Sequence, residues 1–500
     1  MIPTLPPTRK RWGLAALAAG ALTAPLLAPA VGTSPATGAA PTNPTIDLTV
    51  PDRVVAETYG GGIYSDLGFR LEVRDAALEI WSQRAADYKT APAAVAKLPL
   101  GDVVLPEQER IGLLQRFLRV RVVDRDDPDA TPKVRYRDSC LGEPSERIDP
   151  AAEFTNSYPQ TCFYNPFALG AVQGIPAGWA SGVFGYETRL RLKPGEYDVT
   201  VAITKGYADA LGLTAEQRSA STVLLVQKGS ECRGCRDDRR DAPRLTANRN
   251  EPDPAGGIDA IEDLPPGTPT PDLRSLPAFN IQLNRSGTQL QFSANVWNAG
   301  NSPLVVDGFR RDDEDIMDAY QYFLDEDGNQ IAYQQVGTME WDPDPTHQHW
   351  HFTDFATYEL LNADKTRAVR SGKEAFCLAN TDAVDLTGEG AAWEAYEEDL
   401  GSVCGGYETR SIREVLSAGW GDTYAQFRAG QSFRIKNLPD GVYYVRVLAN
   451  PKDTLIESDT DNNEALRRVR LVTNEAGERR VRVAPVGIVD EDQEYYYRGQ

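Results

Sequence analysis

Two stretches of the chain, "RLRLKPGEYDVTVAI" at residues 189–203 and "GQSFRIKNLPDGVYYVRVLANP" at 430–451, constrain the fold most. Each alternates apolar and polar side chains on both sides of a Pro/Gly turn. A period of two presents one face of a strand to a core and the other to water, and no helix satisfies it. Further alternating runs are "GFRLEVRDAALEIW", "FLRVRVVD", "LQFSANVWNAG", "NQIAYQQVG" and "HWHFTDFATYELL". With 42 glycines and 34 prolines against 3 methionines, short strands and turns dominate. The expected class is mainly β: two β-sandwich-like domains, each containing an alternating strand, a turn and a second alternating strand read as a hairpin.

At 500 residues the chain exceeds one ordinary core. Residues 1–40 read as a signal peptide and leader: Arg9, Lys10 and Arg11 precede an Ala/Leu-rich run and then small residues. Pro25 and Pro29 interrupt that run before it reaches the roughly 20 apolar residues of a spanning helix, so stable membrane insertion is not expected. Residues 45–228 form a first β region with no clustered chemistry. Residues 229–268, polar and rich in Pro and Gly, read as a linker or long loop. A second β region covers 269–475, and 476–500 is a tail.

Export makes the six cysteines candidates for disulfides, and they fall by position into three local pairs: Cys140 with Cys162, Cys232 with Cys235, and Cys377 with Cys404. The "CRGC" at 232–235 also has the spacing of half a zinc site, but no further Cys or His lies near it in sequence. The formal net charge of −21 repels phosphate and argues against a nucleic-acid partner, while an acidic surface attracts cationic substrates such as amines.

All three histidines, His347, His349 and His351, lie within "THQHWH". On a strand, residues i, i+2 and i+4 share a face, so three imidazoles stand side by side. Neutral nitrogen ligands of this kind suit copper, zinc, iron or nickel, and three leave coordination positions open. Trp341, Trp350, Phe352 and Phe355 flank the run and supply an apolar shell.

"HQHWHFTDFATYELL" resembles the copper motif of the lysyl oxidase family, copper amine oxidases whose lysine tyrosylquinone is made from their own side chains. The resemblance extends over roughly residues 269–472. The family's Lys-x-x-Phe-Cys context matches "GKEAFCL", giving Lys373, and its Asp-Thr-Tyr matches "GDTY", giving Tyr424, as the two quinone precursors. It also implies a Cys377–Cys404 bridge between the segments carrying them. "PDL" at 271–273 and "ESDTDNN" at 457–463 resemble the family's calcium-holding segments. The implied ligands are Asp272, the Leu273 carbonyl, Glu457, Asp459, Asn462 and Asn463, hard oxygen donors of the kind calcium prefers. The chain departs from the pattern just past the copper ligands, where it is one residue shorter, so the match of Asp354 to the family's acidic residue is ambiguous. Asp354 is the candidate general base.

The activity so implied is oxidative deamination of a primary amine, peptidyl lysine among the compatible ones, by copper and oxygen, releasing an aldehyde, ammonia and hydrogen peroxide. The localisation implied is secreted. Two other classes remain at this stage: a secreted copper-binding or adhesion protein that keeps the scaffold without the quinone, and a zinc hydrolase. The second lacks a partner acid at motif spacing.

Overall fold

The structure is a computed structural model. It describes residues 40–491 apart from 60–61, 64–65, 128, 143–144, 185–189, 229–258, 261–263, 265, 312–313, 326, 343–348, 373–374, 396–403 and 408. The leader, Cys232 and Cys235, most of the expected linker, His347 and Lys373 lie outside the described residues. Thr42–Gln500 forms one compact unit.

The protein is mainly β. Among the described residues the one α-helix is the short Lys205–Ala210, and none is long and apolar enough to cross a membrane. The strands before residue 229 form three sheets, the largest of six strands with Gly195–Ile203 between Ser219–Lys228 and Leu114–Asp124. Those after it form three more. One carries Trp350–Thr353 beside Gln330–Trp341; a second is built on Gln289–Asn298, which pairs with Trp420–Tyr424; a third centres on Gly441–Ala449. Arg479–Val483, inside the segment read as a tail, is the edge strand of this third sheet. Each trio encloses its own core, one around Leu71, Phe117 and Val199, the other around Phe292, Trp350 and Val447.

The alternation behaves as its period demands. Tyr197, Val199, Val201 and Ile203 are buried in one strand, and Tyr443, Val445, Val447 and Ala449 in the other. The expected hairpins, however, do not form. Leu190 bridges Ile63 rather than the strand after its turn. Likewise Ser432–Arg434 pairs with Gln289–Asn298, whereas Gly441–Ala449 pairs with Ala356–Asn362 and Glu464–Thr473. The second Pro/Gly turn thus hands the chain from one sheet to another, whereas the first leads from a bridge at the edge strand Gly62–Ile63 into Gly195–Ile203 of the same six-stranded sheet. A tyrosine two residues past the glycine fixes both corners: Tyr197 Oη donates to the Lys193 carbonyl at 3.0 Å, and Tyr443 Oη to the Pro439 carbonyl at 2.9 Å. Such a tyrosine corner belongs to the crossings of β-sandwiches.

The two cores meet along a seam. Leu169 N–H donates to the Val384 carbonyl at 2.7 Å and Leu386 N–H to the Gly170 carbonyl at 2.9 Å. Trp393 stacks on Tyr158 with centroids 5.9 Å apart and meets Trp81 edge-on at 6.3 Å. The first β region therefore grips the chain between Cys377 and Tyr424.

Phe292 is fully buried, stacked on Phe433 at 4.6 Å and edge-on to Tyr358 at 5.4 Å. Phe292→Ala removes an aromatic from a packed core and is expected to lower unfolding stability by about 3–5 kcal/mol, read from the denaturant midpoint at constant slope.

Candidate functional site

His351 sits in Trp350–Thr353, 4% exposed, and His349 lies just before that strand. Their i, i+2 spacing puts both rings on one side, with Nε2 atoms 2.9 Å apart and centroids at 4.5 Å. Two nitrogens bound to one ion at about 2.0–2.1 Å are themselves about 3 Å apart at bond angles a little above 90°, so the pair fits a shared transition metal. Behind it stands Asp342, whose Oδ2 is 3.6 Å from His351 Nδ1 and whose N–H donates to the His349 carbonyl at 3.1 Å. A carboxylate on that side of the ring, drawn in to hydrogen-bond distance, would favour the tautomer that leaves Nε2 free for metal. The sequence reading missed Asp342; its signal was an acid five residues before His347.

Of the expected apolar shell, Trp350, Phe352 and Phe355 are buried core residues. Trp341 is half-buried and packs edge-on against Trp350 at 5.8 Å and Tyr407 at 5.3 Å. Trp350 N–H donates to the Cys404 carbonyl at 2.9 Å and its Nε1–H to the Gly406 carbonyl at 3.1 Å. The histidine strand is thereby fastened to the segment bearing Cys404.

Cys404 is in turn joined to Cys377, as Cys140 is to Cys162 in the first region. Cys377 holds Tyr424: its N–H donates to Tyr424 Oη at 3.0 Å, and the hydroxyl donates back to the Cys377 carbonyl at 3.2 Å. The half-buried ring meets Phe376 edge-on at 5.0 Å. Burial, then the charges of Asp422, Tyr358 and Glu414, push the phenol well above its ordinary pKa, so it is neutral. Lys373 itself is outside the described residues, but Phe376 and Cys377, three and four positions on, lie against this ring.

Asp354 occupies the turn after the histidine strand with φ 65°, a left-handed conformation that a short polar residue tolerates. Its Oδ2 pairs with Lys452 Nζ at 2.7 Å. The acids that act on Tyr424 are instead Asp422 and Glu414, both buried. Glu414 shares the inward face of Ser411–Leu416 with Ile412 and Leu416, an acid in an apolar position, and that was its sequence signal. The Cys377 and Cys404 sulfurs lie within 4.8 Å of its carboxylate; as a disulfide they do not ligate metal.

The six expected calcium-holding residues come together although 184 positions separate Leu273 from Glu457. Asn462 Nδ2 donates to Asp272 Oδ1 at 3.0 Å and to Asp459 Oδ2 at 2.8 Å. Glu457 accepts from Leu273 N–H at 2.7 Å and Asn463 Nδ2 at 2.8 Å. Burial raises the Glu457 pKa, the amide donors of Asn450, Asn463 and Leu273 oppose that, and Asp272 adds to it. The Asn462 and Asn463 side-chain oxygens are buried with no hydrogen-bond partner. Orphaned hard acceptors beside close carboxylates fit a calcium ion. Arg274 meanwhile donates to Asp272 Oδ2 at 2.7 Å.

Residues 320–478 match the profile of the family described as lysyl oxidase. The chain is similar to protein-lysine 6-oxidase of Rattus norvegicus, 31% identical over 142 residues, which is 27% of this chain and 30% of that protein. It is 33% identical over 128 residues to lysyl oxidase homolog 1 of Homo sapiens, 25% of this chain and 19% of that protein. Against protein-lysine 6-oxidase of Sus scrofa it is 30% identical over 142 residues, 27% and 49% of the two chains. Each match spans less than half of the relative's own length. The C-terminal region is thus lysyl oxidase-like, and its relatives are oxidoreductases by name.

Two outcomes test this geometry. Asp342→Asn is expected to weaken copper binding about 10- to 100-fold in a competition titration while the fold persists. Calcium at about 100 times its dissociation constant is expected to add roughly 2.7 kcal/mol of stability, a rise in melting temperature that a chelator reverses and Asp272→Asn diminishes.

Proposed function

We propose that this chain is a secreted copper-dependent amine oxidase of lysyl oxidase type, oxidising primary amines to aldehydes with release of ammonia and hydrogen peroxide. The observation that carries the reading is the pair of imidazole nitrogens on a strand tied through Cys404 to Cys377, whose backbone holds the Tyr424 hydroxyl. When bound and formed, copper and a quinone made from Tyr424 and Lys373 supply the oxidising power and the electron sink.

The chain's own residues do the rest. His347, His349 and His351 hold the metal through neutral nitrogens, with Asp342 behind His351. The Cys377 backbone fixes the orientation of the Tyr424 ring, and Phe376 covers its edge against water. Asp354, next to Lys452, is a candidate to take the substrate's proton; Asp422, buried two residues before Tyr424, is the other. Asp272, Leu273, Glu457, Asp459, Asn462 and Asn463 hold a structural calcium. Disulfides and the leader-like N-terminus support export. The acidic surface favours cationic amines. In this reading residues 45–228 are a domain that braces the catalytic one, residues 269–475, from the side.

The test is to load the mature chain with copper, digest it and look by mass spectrometry for one peptide joining Lys373 to Tyr424. The crosslink, together with hydrogen peroxide release on amine addition, is expected in the wild type, and both are expected to vanish in Tyr424→Phe. Copper-loaded protein with two separate, unmodified peptides overturns the oxidase and leaves a non-catalytic copper-binding or adhesion protein.

A further inference from the structure

Glu414 is 0% exposed. Its Oε2 accepts from Leu378 N–H at 2.9 Å, and its Oε1 is buried with no hydrogen-bond partner. Evolutionary convenience does not explain a carboxyl here: an apolar residue fills such a position on a core-facing strand without leaving an orphaned oxygen. Burial, with Asp422 adding to it and the Leu378 amide opposing, pushes its pKa well above the carboxylate range, toward the protonated form.

What it holds is the backbone beside Tyr424. Besides the Cys377–Cys404 disulfide, the short segment after Lys373 has three non-covalent anchors among the described residues. Ala375–Phe376 pairs for two residues with Phe352–Thr353. Cys377 exchanges hydrogen bonds with the Tyr424 hydroxyl. Leu378 N–H reaches Glu414. Oxidation of the tyrosine to a quinone by molecular oxygen, which also places the second oxygen on the ring, turns its C–OH into C=O, which still accepts from Cys377 N–H and no longer donates to the Cys377 carbonyl. The second anchor is therefore weakened by the chemistry itself, and a two-residue strand pairing is weak. Next to the Cys377–Cys404 disulfide, Glu414 is the hydrogen-bonding anchor closest to Cys377 that the reaction leaves intact.

We propose that Glu414 is a positioning residue that holds the Cys377–Leu378 backbone against Tyr424, keeping the Lys373-bearing segment in register with the ring while the crosslink forms. The proposal rests on the oxidase reading. It assigns Glu414 a neutral, hydrogen-bond-accepting role, not that of an ionised base.

The experiment adds copper to metal-free full-length protein and follows the rate of Lys373–Tyr424 crosslinking by mass spectrometry, alongside copper per chain and melting temperature. Glu414→Gln keeps an acceptor for Leu378 N–H and is expected to crosslink at the wild-type rate. Glu414→Leu loses it and is expected to slow on the order of 10²-fold, the loss that about 1 Å of misplacement brings, with copper occupancy unchanged. A Leu variant that crosslinks like the wild type overturns the proposal and leaves the oxidase standing. A Gln variant as slow as Leu also overturns it, since the carboxylate is then needed for its charge. A wild type that never crosslinks removes the oxidase reading and this one with it. If Glu414→Leu does not fold, hydrogen exchange of the wild-type Leu378 amide decides: protection like that of neighbouring sheet amides supports the anchor, and exchange at the open-chain rate sinks it.

Discussion

The site depends on how Cys377 is held. Its sulfur is bonded to Cys404, whose carbonyl takes the Trp350 N–H beside the histidines, and its own peptide groups clasp the Tyr424 hydroxyl. Three segments with no sequence proximity, around 350, 377 and 424, are thereby brought to one place. A covalent link is suited to this because a few hydrogen bonds at a sheet edge are individually worth only about 1 kcal/mol net. With the bond in place, the 27-residue excursion between the cysteines has its ends fixed, and its interior is free to serve another purpose.

Part of that purpose is the seam. Trp393, with the backbone at Val384 and Leu386, packs on Tyr158, Trp81 and Leu169–Gly170 of the first β region. The next strand to leave this seam is Trp420–Tyr424, whose Trp420 belongs to the same cluster. Tyr424 thus sits four residues from a contact between the two cores. Interiors packed at crystal-like density transmit such constraints with little give. The first region carries no cluster of chemical groups of its own in the sequence reading, yet it packs against the start of the strand that delivers the tyrosine.

Much of this was legible in the sequence because period and residue type survive without knowledge of tertiary contacts. The inward faces of Gly195–Ile203 and Gly441–Ala449 followed from alternation alone, and the facing of His349 and His351 from their spacing. What alternation could not give was partner choice: neither Pro/Gly turn read as a hairpin joins two paired strands, the second being a corner between sheets, and only Tyr197 and Tyr443, two residues past the glycines, hinted at it. Asp342 and Glu414 were passed over for another reason. A single acid carries no pattern, and its meaning comes from what the fold brings to it, an imidazole in one case and an amide with a phenol in the other. Asp354 shows the converse: nearness in sequence to the ligands put it forward, but its left-handed turn pairs it with Lys452.

The calcium-like cluster and the tyrosine share one strand, which links stability to the site. Asp272 donates its N–H to Asn298 Oδ1 at 3.0 Å and accepts from Ala299 N–H at 2.7 Å, so the end of Gln289–Asn298 is tied to the cluster. Four residues back along that strand, Ala294 is the register partner of Tyr424, and Trp297 that of Gly421. At about 3.3 Å per residue the two points are roughly 13 Å apart along a single rigid element. Without a cation, Asp272 adds to the cost of burying Glu457, and the two orphaned amide oxygens go unpaired. Filling the cluster converts those penalties into bonds at the strand's end. Whatever tightens that end narrows the range of positions open to the tyrosine ring.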